Sequence, residues 1–308
     1  MRSSGGFTRA AALERVELSG PRLTVSAVGF GCGGLMQSPS RKERMAVLGS
    51  AVECGITHFD TARMYGLGMA EAELGVFLRT VRRDSVTVAT KFGIDAGGAA
   101  AVKRRQEPDP TARVYDAAIA ARSLEESLAA LGVDHVDILF VHGPRPGDTV
   151  ATEELRDFFE RARDQGKIRA WGVSQDEGFD VDFAEPFAPD GVSQLRGDLL
   201  GPPPRPADLV FGVLNRPYAT LTAALRSDTG MATRWREALG LDPLADGALP
   251  RLILGSSVGA TGCRAMLYST TRPRRVAEAA AAVSSPPDPE TLARFLGLVR
   301  EFREGGAT

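Results

Sequence analysis

The chain alternates short apolar runs with amphipathic helical segments along most of its length, and this alternation limits the folds it can adopt. Apolar residues with helical spacing follow several of the runs, for example Leu124, Leu128 and Leu131. Strands that alternate with helices form parallel sheets, and eight such units predict an α/β fold, a (β/α)8 TIM barrel. The candidate strands are residues 26–30, 56–59, 86–89, 136–141, 168–173, 191–194, 209–214 and 265–268.

Length and composition fit one such barrel. The 308 residues are 43% hydrophobic and 25% charged, which suits a single domain over residues 1–308. A net charge of −2 without a basic cluster argues against nucleic acid and membrane partners. No run reaches the ~20 apolar residues of a membrane span, and residues 1–15 lack a signal-peptide core. We therefore expect a cytoplasmic protein with a small-molecule partner, as a monomer or small homo-oligomer.

The three cysteines indicate neither a disulfide framework nor a metal site. Cys32, Cys54 and Cys263 are odd in number and lack the C-x-x-C spacing of metal ligands. Unpaired thiols of this kind fit a reducing compartment. We predict structural cysteines and no bound metal.

Four polar side chains lie at or just after the ends of predicted strands. Asp60 and Lys91 follow the second and third strands, His142 follows the fourth, and Tyr65 comes five residues after Asp60. The carboxyl ends of barrel strands share one face, so these four residues can converge although 82 residues separate the first from the last. His58 shares the strand face of Asp60, and we interpret it as a histidine satisfied inside the barrel.

This set of side chains can supply the proton that carbonyl reduction needs. Tyrosine has an ordinary pKa near ~10 and is a poor donor at neutral pH unless its surroundings shift it. A cationic Lys91 would favour tyrosinate and lower the pKa of Tyr65, and Asp60 would hold Lys91 charged and oriented. His142 could donate to the carbonyl oxygen. Tyr65 would then be the acid in reduction and the base in oxidation.

Asp60, Tyr65, Lys91 and His142 resemble, in type, order and context, the catalytic tetrad of the aldo-keto reductases. The resemblance extends from about residue 16 to residue 302. It implies a barrel closed at the bottom by an N-terminal β-hairpin, here residues 16–25, with a C-terminal helix packed outside. It also implies an oxidoreductase that reduces an aldehyde or ketone with NADPH.

The same resemblance implies a nicotinamide site at the ends of strands five to seven. Ser174, Gln175 and Gln194 correspond to residues that bind the carboxamide, with glutamine at Gln175 where the family usually has asparagine. After strand seven, Asn215-Arg216-Pro217 replaces an aromatic-led segment that commonly stacks on the nicotinamide ring. Tyr218 is a candidate to substitute for that aromatic residue.

After strand eight, the chain resembles the family's signature for the adenosine half of the cofactor. Proline suits the first turn of a helix, whose free N–H groups and nearby arginines can bind phosphate. Two guanidinium groups favour NADPH over NADH. The expected cofactor-binding residues are Ser269, Thr270, Thr271, Arg272, Arg275 and Glu278.

Two other functions compete with carbonyl reduction. One is a cofactor-binding regulatory or sensing subunit of the same fold with little turnover. The other is a Rossmann dehydrogenase, because residues 29–34 spell G-x-G-x-x-G; that fingerprint needs a helix at its last glycine, whereas the helical pattern begins only near Lys42. The resemblance implies that the substrate is selected by loops, which here coincide with residues 92–111, 143–149 and 219–244. The residue pattern predicts loops over 92–111 and 201–206. It predicts a weak helix over 176–189 and a long loop with a helical piece over 219–244.

Overall fold

The structure, a computed structural model, describes residues 12–20, 23–94, 113–145, 147–150, 152–176 and 191–305. Its strands are β1 (Arg15–Glu17), β2 (Thr24–Ser26), β3 (Val28–Gly31), β4 (His58–Asp60), β5 (Thr87–Phe92), β6 (Val136–His142), β7 (Ile168–Gln175), β8 (Val192–Arg196), β9 (Leu209–Phe211) and β10 (Ala265–Tyr268). Its α-helices are α1 (Arg41–Glu53), α2 (Met69–Leu78), α3 (Ala117–Leu131), α4 (Glu153–Asp164), α5 (Asn215–Ser227), α6 (Thr229–Leu239), α7 (Ala248–Thr261), α8 (Pro273–Ser284) and α9 (Pro289–Gly305).

Strands β3 to β10 form a closed barrel of eight parallel strands, as predicted. Their order around the barrel is β10-β3-β4-β5-β6-β7-β8-β9, so neighbours in sequence are neighbours in space. In this register Asp60 pairs with Ala89, and Lys91 with Phe140. The carboxyl ends of β4, β5 and β6 therefore lie side by side.

The N-terminal hairpin fills one end of the barrel. Strands β1 and β2 pair antiparallel, and Leu18, Leu23 and Val25 join a buried cluster with inward-facing strand residues such as Phe140. The buried carboxylate of Asp208 fixes the hairpin in place, because its Oδ1 accepts a hydrogen bond of 2.6 Å from the Ser19 N–H. Because the hairpin covers this end of the barrel, a ligand-binding site can form only at the opposite end.

The outer helices bury one face each. On α9, Phe295 and Val299 are buried, and Phe295 meets Trp235 of α6 edge-on with ring centroids 6.0 Å apart. Partly buried Leu292, Leu296 and Phe302 join the same cluster. The predicted amphipathic helix outside the barrel is thus confirmed.

The prediction of a long loop with a helical piece over residues 219–244 underestimated the helix content. Helices α5 and α6 occupy most of it, separated at Asp228, whose carboxylate accepts the Met231 N–H at 2.8 Å and so caps α6. Residues 201–206 contain neither helix nor strand, as expected. The predictions for residues 95–111 and 177–189 lie outside the described residues.

The glycine motif at residues 29–34 does not belong to a Rossmann fold. A short 3-10 helix, Cys32–Gln37, follows β3, and α1 begins only at Arg41, after the N-cap Ser40. A closed barrel also has no crevice at which the strand order reverses, which is where Rossmann folds bind dinucleotides. The dehydrogenase alternative built on this motif is therefore excluded.

Within the described ranges, helices long and apolar enough to cross a membrane are absent. No group of three histidine, cysteine or carboxylate side chains in the same ranges could hold a metal ion. All three cysteines are free thiols, with Cys32 and Cys263 buried.

His58 lies inside the barrel, where its imidazole is fully buried. Its Nδ1 is hydrogen-bonded to Thr87 Oγ1 at 2.9 Å, whereas Nε2 has no partner among the described residues. Burial disfavours the charged ring and lowers the pKa of His58 to about 4, although the charge of Asp60 works in the opposite direction. The expected histidine inside the barrel is present, with one ring nitrogen satisfied.

This buried histidine predicts a loss of stability in mild acid. Its pKa is about 4 in the folded state and ~6.5 when unfolded, so the unfolded chain binds the proton more tightly. The free energy of unfolding should fall by about 3 kcal/mol between pH 6.5 and pH 4 because of His58 alone. Urea unfolding of wild type and His58→Asn across this range measures it. A difference curve that stays flat below pH 6.5 would contradict the prediction.

Candidate active site

Asp60, Lys91, Tyr65 and His142 meet at the open end of the barrel. Lys91 Nζ donates to Asp60 Oδ1 at 2.5 Å and to the Thr61 carbonyl at 2.9 Å. The same nitrogen lies 5.1 Å from the centroid of the Tyr65 ring. The Tyr65 and His142 rings meet edge-on, with centroids 5.9 Å apart. The structure thus brings together all four residues predicted from the strand ends.

A chain of hydrogen bonds connects Asp60 to strands β7 and β8. Gln194 Nε2 donates to Asp60 Oδ2 at 2.8 Å, while Ser174 Oγ donates to Gln194 Oε1. Both Asp60 oxygens are therefore engaged, one by the ammonium group and one by the amide. Ser174 and Gln194 lie in the same cluster as the four strand-end residues.

Burial and nearby charges determine the protonation states of Lys91 and Tyr65. Burial alone would lower the pKa of Lys91, but the nearby Asp60 and Tyr65 outweigh it and hold the pKa above its ordinary value. Burial raises the pKa of Tyr65 more than the charge and hydrogen bond of Lys91 lower it. The expectation of a lowered Tyr65 pKa was wrong in net direction, although the contribution of Lys91 has the expected sign. Tyr65 is therefore protonated at neutral pH.

His142 is neutral at neutral pH. Burial lowers its pKa well below the ordinary value, and the positive charges of Lys91 and Arg113 lower it further. A neutral imidazole still carries one N–H donor. His142 can therefore donate a hydrogen bond without adding a second cation beside Lys91.

A cavity of about 370 Å³ opens over these side chains. A Cβ at Gly33 would lie 3.7 Å from the Tyr65 ring, so this glycine leaves the backbone open beside the tyrosine. The cavity runs from the barrel mouth to the segment that leads into α8. It is lined by Gly31, Gly33, Gly34, Asp60, Tyr65, His142, Gly143, Ser174, Asp176, Gln194, Phe211, Gly212, Val213, Leu214, Asn215, Leu267, Tyr268 and Ser269.

Several predicted cofactor residues lie away from this cavity. Gln175 lines a separate cavity on the outer side of β7, because side chains alternate along a strand and Ser174 faces inward. Arg216 Nε donates to the buried Asp198 at 2.7 Å. Pro217 is buried in α5. Tyr218 is 43% exposed and is not a lining residue, so it does not replace the missing aromatic residue.

Phe211 lines the cavity, although the sequence pattern did not identify it as a site residue. The strand was predicted to run to residue 214, which placed Phe211 in its middle, whereas β9 ends at Phe211. The next residue, Gly212, has φ +82, a conformation that ends the strand at low cost only in glycine. The glycine directly after an aromatic residue was the signal for this strand end.

The predicted adenosine segment forms the entrance to α8. Pro273 is the first residue of the helix, and the Arg272 N–H is hydrogen-bonded to Thr270 Oγ1 at 3.2 Å. Arg272 and Arg275 are exposed, and Ser269 lines the cavity. Glu278 is already engaged, because Arg274 Nε donates to it at 2.6 Å. Thr270 and Thr271 are half-buried beside this entrance.

A left-handed turn follows Tyr65. Gly66, Leu67 and Gly68 have φ values of 56, 59 and 86, and Leu67 is the one non-glycine residue with positive φ in the described part of the chain. An L-residue in this conformation costs about 1–2 kcal/mol. The sequence Gly-Leu-Gly thus sets the path by which the chain leaves Tyr65 and enters α2.

Fold and site together define a (β/α)8 barrel with an acid–base cluster at the carboxyl ends of its strands, where such barrels carry their active sites. The model of the aldo/keto reductase family matches residues 27–185, and the chain belongs to this family.

Individual relatives agree with this assignment. The chain is 34% identical over 166 residues to a D-threo-aldose 1-dehydrogenase of a Pseudomonas species, covering 49% of this chain and 50% of the relative. It is 35% identical over 157 residues to the aldo-keto reductase yakc [NADP(+)] of Schizosaccharomyces pombe, covering 49% and 43%. The chain thus spans about half the length of the curated relatives it matches. The holo form of an aldo-keto reductase from Bacillus halodurans has the same fold, with a TM-score of 0.67 at 19% identity over 93% of this chain and 96% of that one.

The turn after Tyr65 predicts a sensitive glycine. Gly66→Ala should lower the free energy of unfolding by about 1–2 kcal/mol because of its positive φ, and its Cβ would also lie 2.5 Å from Met36 Cγ. Gly49→Ala in α1, where a Cβ meets nothing within 4 Å, should instead raise stability by about 0.5–1 kcal/mol. Urea unfolding compares the two variants. Equal effects of the two substitutions would show that the turn is not strained.

Proposed function

We propose that this protein is an NADPH-dependent oxidoreductase that reduces an aldehyde or ketone to an alcohol, with Tyr65 as the proton donor. The observation that carries the proposal is the cluster of Asp60, Lys91, Tyr65 and His142 at the carboxyl end of the barrel. Three of these residues line one cavity, and the fourth, Lys91, contacts two of them from behind. Membership of the aldo/keto reductase family supports the same chemistry.

Each of the four side chains has a distinct part in this proposal. The protonated Tyr65 hydroxyl gives its proton to the carbonyl oxygen as negative charge develops there. Lys91 stabilises the tyrosinate that remains, and Asp60 keeps Lys91 charged and in place. The neutral His142 donates a hydrogen bond that orients the carbonyl oxygen. In the oxidative direction the same residues act in reverse, with Tyr65 as the base.

The residues along the cavity fit a nicotinamide cofactor, which would supply the hydride. The cavity is continuous from Tyr65 to Ser269, and Gly33 leaves room beside the tyrosine. Ser174 and Gln194 offer hydroxyl and amide groups to the carboxamide, and Phe211 offers a ring face to the nicotinamide. Asn215 lines the same cavity and offers an amide. These residues hold and orient the cofactor in our proposal.

The entrance to α8 supports a preference for NADPH. Arg272 and Arg275 are exposed beside a helix N-terminus, where free N–H groups and guanidinium groups together suit a phosphate dianion. The Schizosaccharomyces pombe relative carries NADP(+) in its name. Gln175 and Arg216 have no place in this proposal, because the first faces a separate cavity and the second is paired with Asp198.

The direct test adds NADPH and a panel of carbonyl compounds to the purified protein and follows loss of NADPH absorbance. The Pseudomonas relative is named as an aldose dehydrogenase, so aldoses with NADP+ belong in the panel as the oxidative arm. Turnover of any member supports the proposal. NADPH binding without turnover on the whole panel would instead favour a regulatory or sensing subunit of the same fold.

Tyr65→Phe should remove the proton donor with little change of shape. We expect kcat to fall by at least about 100-fold, the usual contribution of a general acid, while the Kd for NADPH changes little. Tyr218→Phe is the matched control, because Tyr218 lies outside the cavity. Wild-type kcat in Tyr65→Phe would remove the tyrosine from the mechanism.

Arg275→Ala should weaken NADPH binding more than NADH binding. The difference should be about 1–3 kcal/mol, the scale of a hydrogen bond to a charged group. Fluorescence titration with both cofactors measures it, and Arg294→Ala on α9 serves as the control for loss of an exposed arginine. Equal losses for NADPH and NADH would show that Arg275 does not contact the 2′-phosphate.

A further inference from the structure

The segment before α3 is attached to the end of β5. The Val114 N–H donates to the Gly93 carbonyl at 2.8 Å, and Arg113 forms an antiparallel bridge with Ile94. The buried ring of Tyr115 meets Phe92 with centroids 6.5 Å apart. A Cβ at Gly93 would lie 2.1 Å from this ring, so only glycine allows the tyrosine to approach so closely. This segment is therefore held beside the strand that carries Lys91.

From this position two side chains reach the end of β6. Tyr115 Oη donates to the His142 carbonyl at 2.8 Å. Arg113 Nε donates to the Gly143 carbonyl at 3.0 Å. Gly143 has φ +56, and its N–H donates to the Ser174 carbonyl at 2.7 Å. The backbone at His142 and Gly143 is thus fixed on both sides, by β7 and by the segment before α3.

We propose that Arg113 and Tyr115 are positioning residues for His142. They hold two successive carbonyl groups at the end of β6 and so fix the direction in which the imidazole faces Tyr65. The catalytic benefit rests on the function proposed above, whereas the positioning itself is a property of the folded chain. Neither side chain lines the cavity.

The direction of the His142 imidazole determines how well it can donate a hydrogen bond to a bound carbonyl oxygen. A donor helps only when it points at the place where charge develops, and a small misalignment weakens the hydrogen bond. His142 is the last residue of β6, so the chain beyond it does not continue the strand. The β7 ladder holds this backbone from one side, through the Gly143 N–H and the Ser174 carbonyl. The two hydrogen bonds from Arg113 and Tyr115 hold it from the other side.

Arg113 adds an electrostatic effect to the restraint. The groups that face His142 are the Tyr65 ring, the Lys91 ammonium group and the Arg113 guanidinium group. Both cations lower the pKa of His142, and burial lowers it most. Removal of the Arg113 charge should therefore raise this pKa towards the ordinary value.

The test observes His142 directly by NMR in the full chain. The chain has only three histidines, so imidazole signals are few, and His142→Gln identifies the one of interest. Because the ring of His142 meets Tyr65 edge-on, ring-current shifts of its protons report its orientation. The variants are Tyr115→Phe, Arg113→Gln and Arg113→Lys. Tyr218→Phe and Arg82→Gln, both at exposed side chains, are the matched controls.

In Tyr115→Phe we expect displaced or broadened His142 signals, and kcat lower by about threefold to tenfold, the size of one net hydrogen bond. The KM for cofactor should stay unchanged. In Arg113→Gln the titration midpoint of His142 should rise, and Arg113→Lys should restore it. The controls should leave signals and kcat unchanged. Loss of stability alone would not move the His142 signals of the folded protein.

Unmoved His142 signals in Arg113→Gln and in Tyr115→Phe, with urea unfolding showing both variants folded, would overturn the proposal. If Tyr115→Phe does not fold, the two Arg113 variants decide it. Displaced signals in a protein that reduces no carbonyl would support the positioning of the ring and reject the proposed function, so the two failures are distinguishable.

Discussion

The ammonium group of Lys91 lies in the interior of the barrel mouth, and the surrounding site depends on how this one charge is satisfied. Lys91 is 2% exposed and Asp60 3% exposed. A buried ion costs several kcal/mol unless a partner and further hydrogen bonds offset the loss of water. Asp60 and the Thr61 carbonyl provide them. The ends of β4 and β5 must therefore stay in register, and Tyr65 and His142 are arranged around a charge whose position is fixed.

Much of this arrangement could be predicted from the sequence. Strand ends follow from apolar runs that stop at a polar residue, and a closed parallel barrel places all such ends on one face. Asp60, Lys91 and His142 were expected together on this basis, and their side chains do lie together at one end of the barrel. The alternation of strands and helices followed from the periodicity of the apolar residues. Local pattern and topology were sufficient here because neither depends on the details of packing.

Other features depended on three-dimensional packing. The net pKa of Tyr65 is set by burial, which no sequence pattern measures. Helices α5 and α6 were predicted only as one helical piece in a loop, because polar residues and the capping Asp228 interrupt the helical pattern. Phe211 was not identified because the strand was predicted to continue beyond Gly212, whereas it ends at Phe211. Gln175 was expected beside Ser174, although the period of two along a strand already placed the two residues on opposite faces.

The hydrogen-bond chain from Ser174 through Gln194 to Asp60 has a consequence for redesign. One amide group both borders the proposed nicotinamide subsite and fixes the carboxylate that holds Lys91. A substitution there would alter two properties at once, as coupled residues are rarely additive. Arg272 and Arg275, which are exposed at the start of α8, have no comparable link to Asp60 or Lys91 in the described structure. Under the proposed function, cofactor preference could therefore be altered at Arg272 and Arg275 without disturbing Asp60 and Lys91, whereas a change at Gln194 would disturb both.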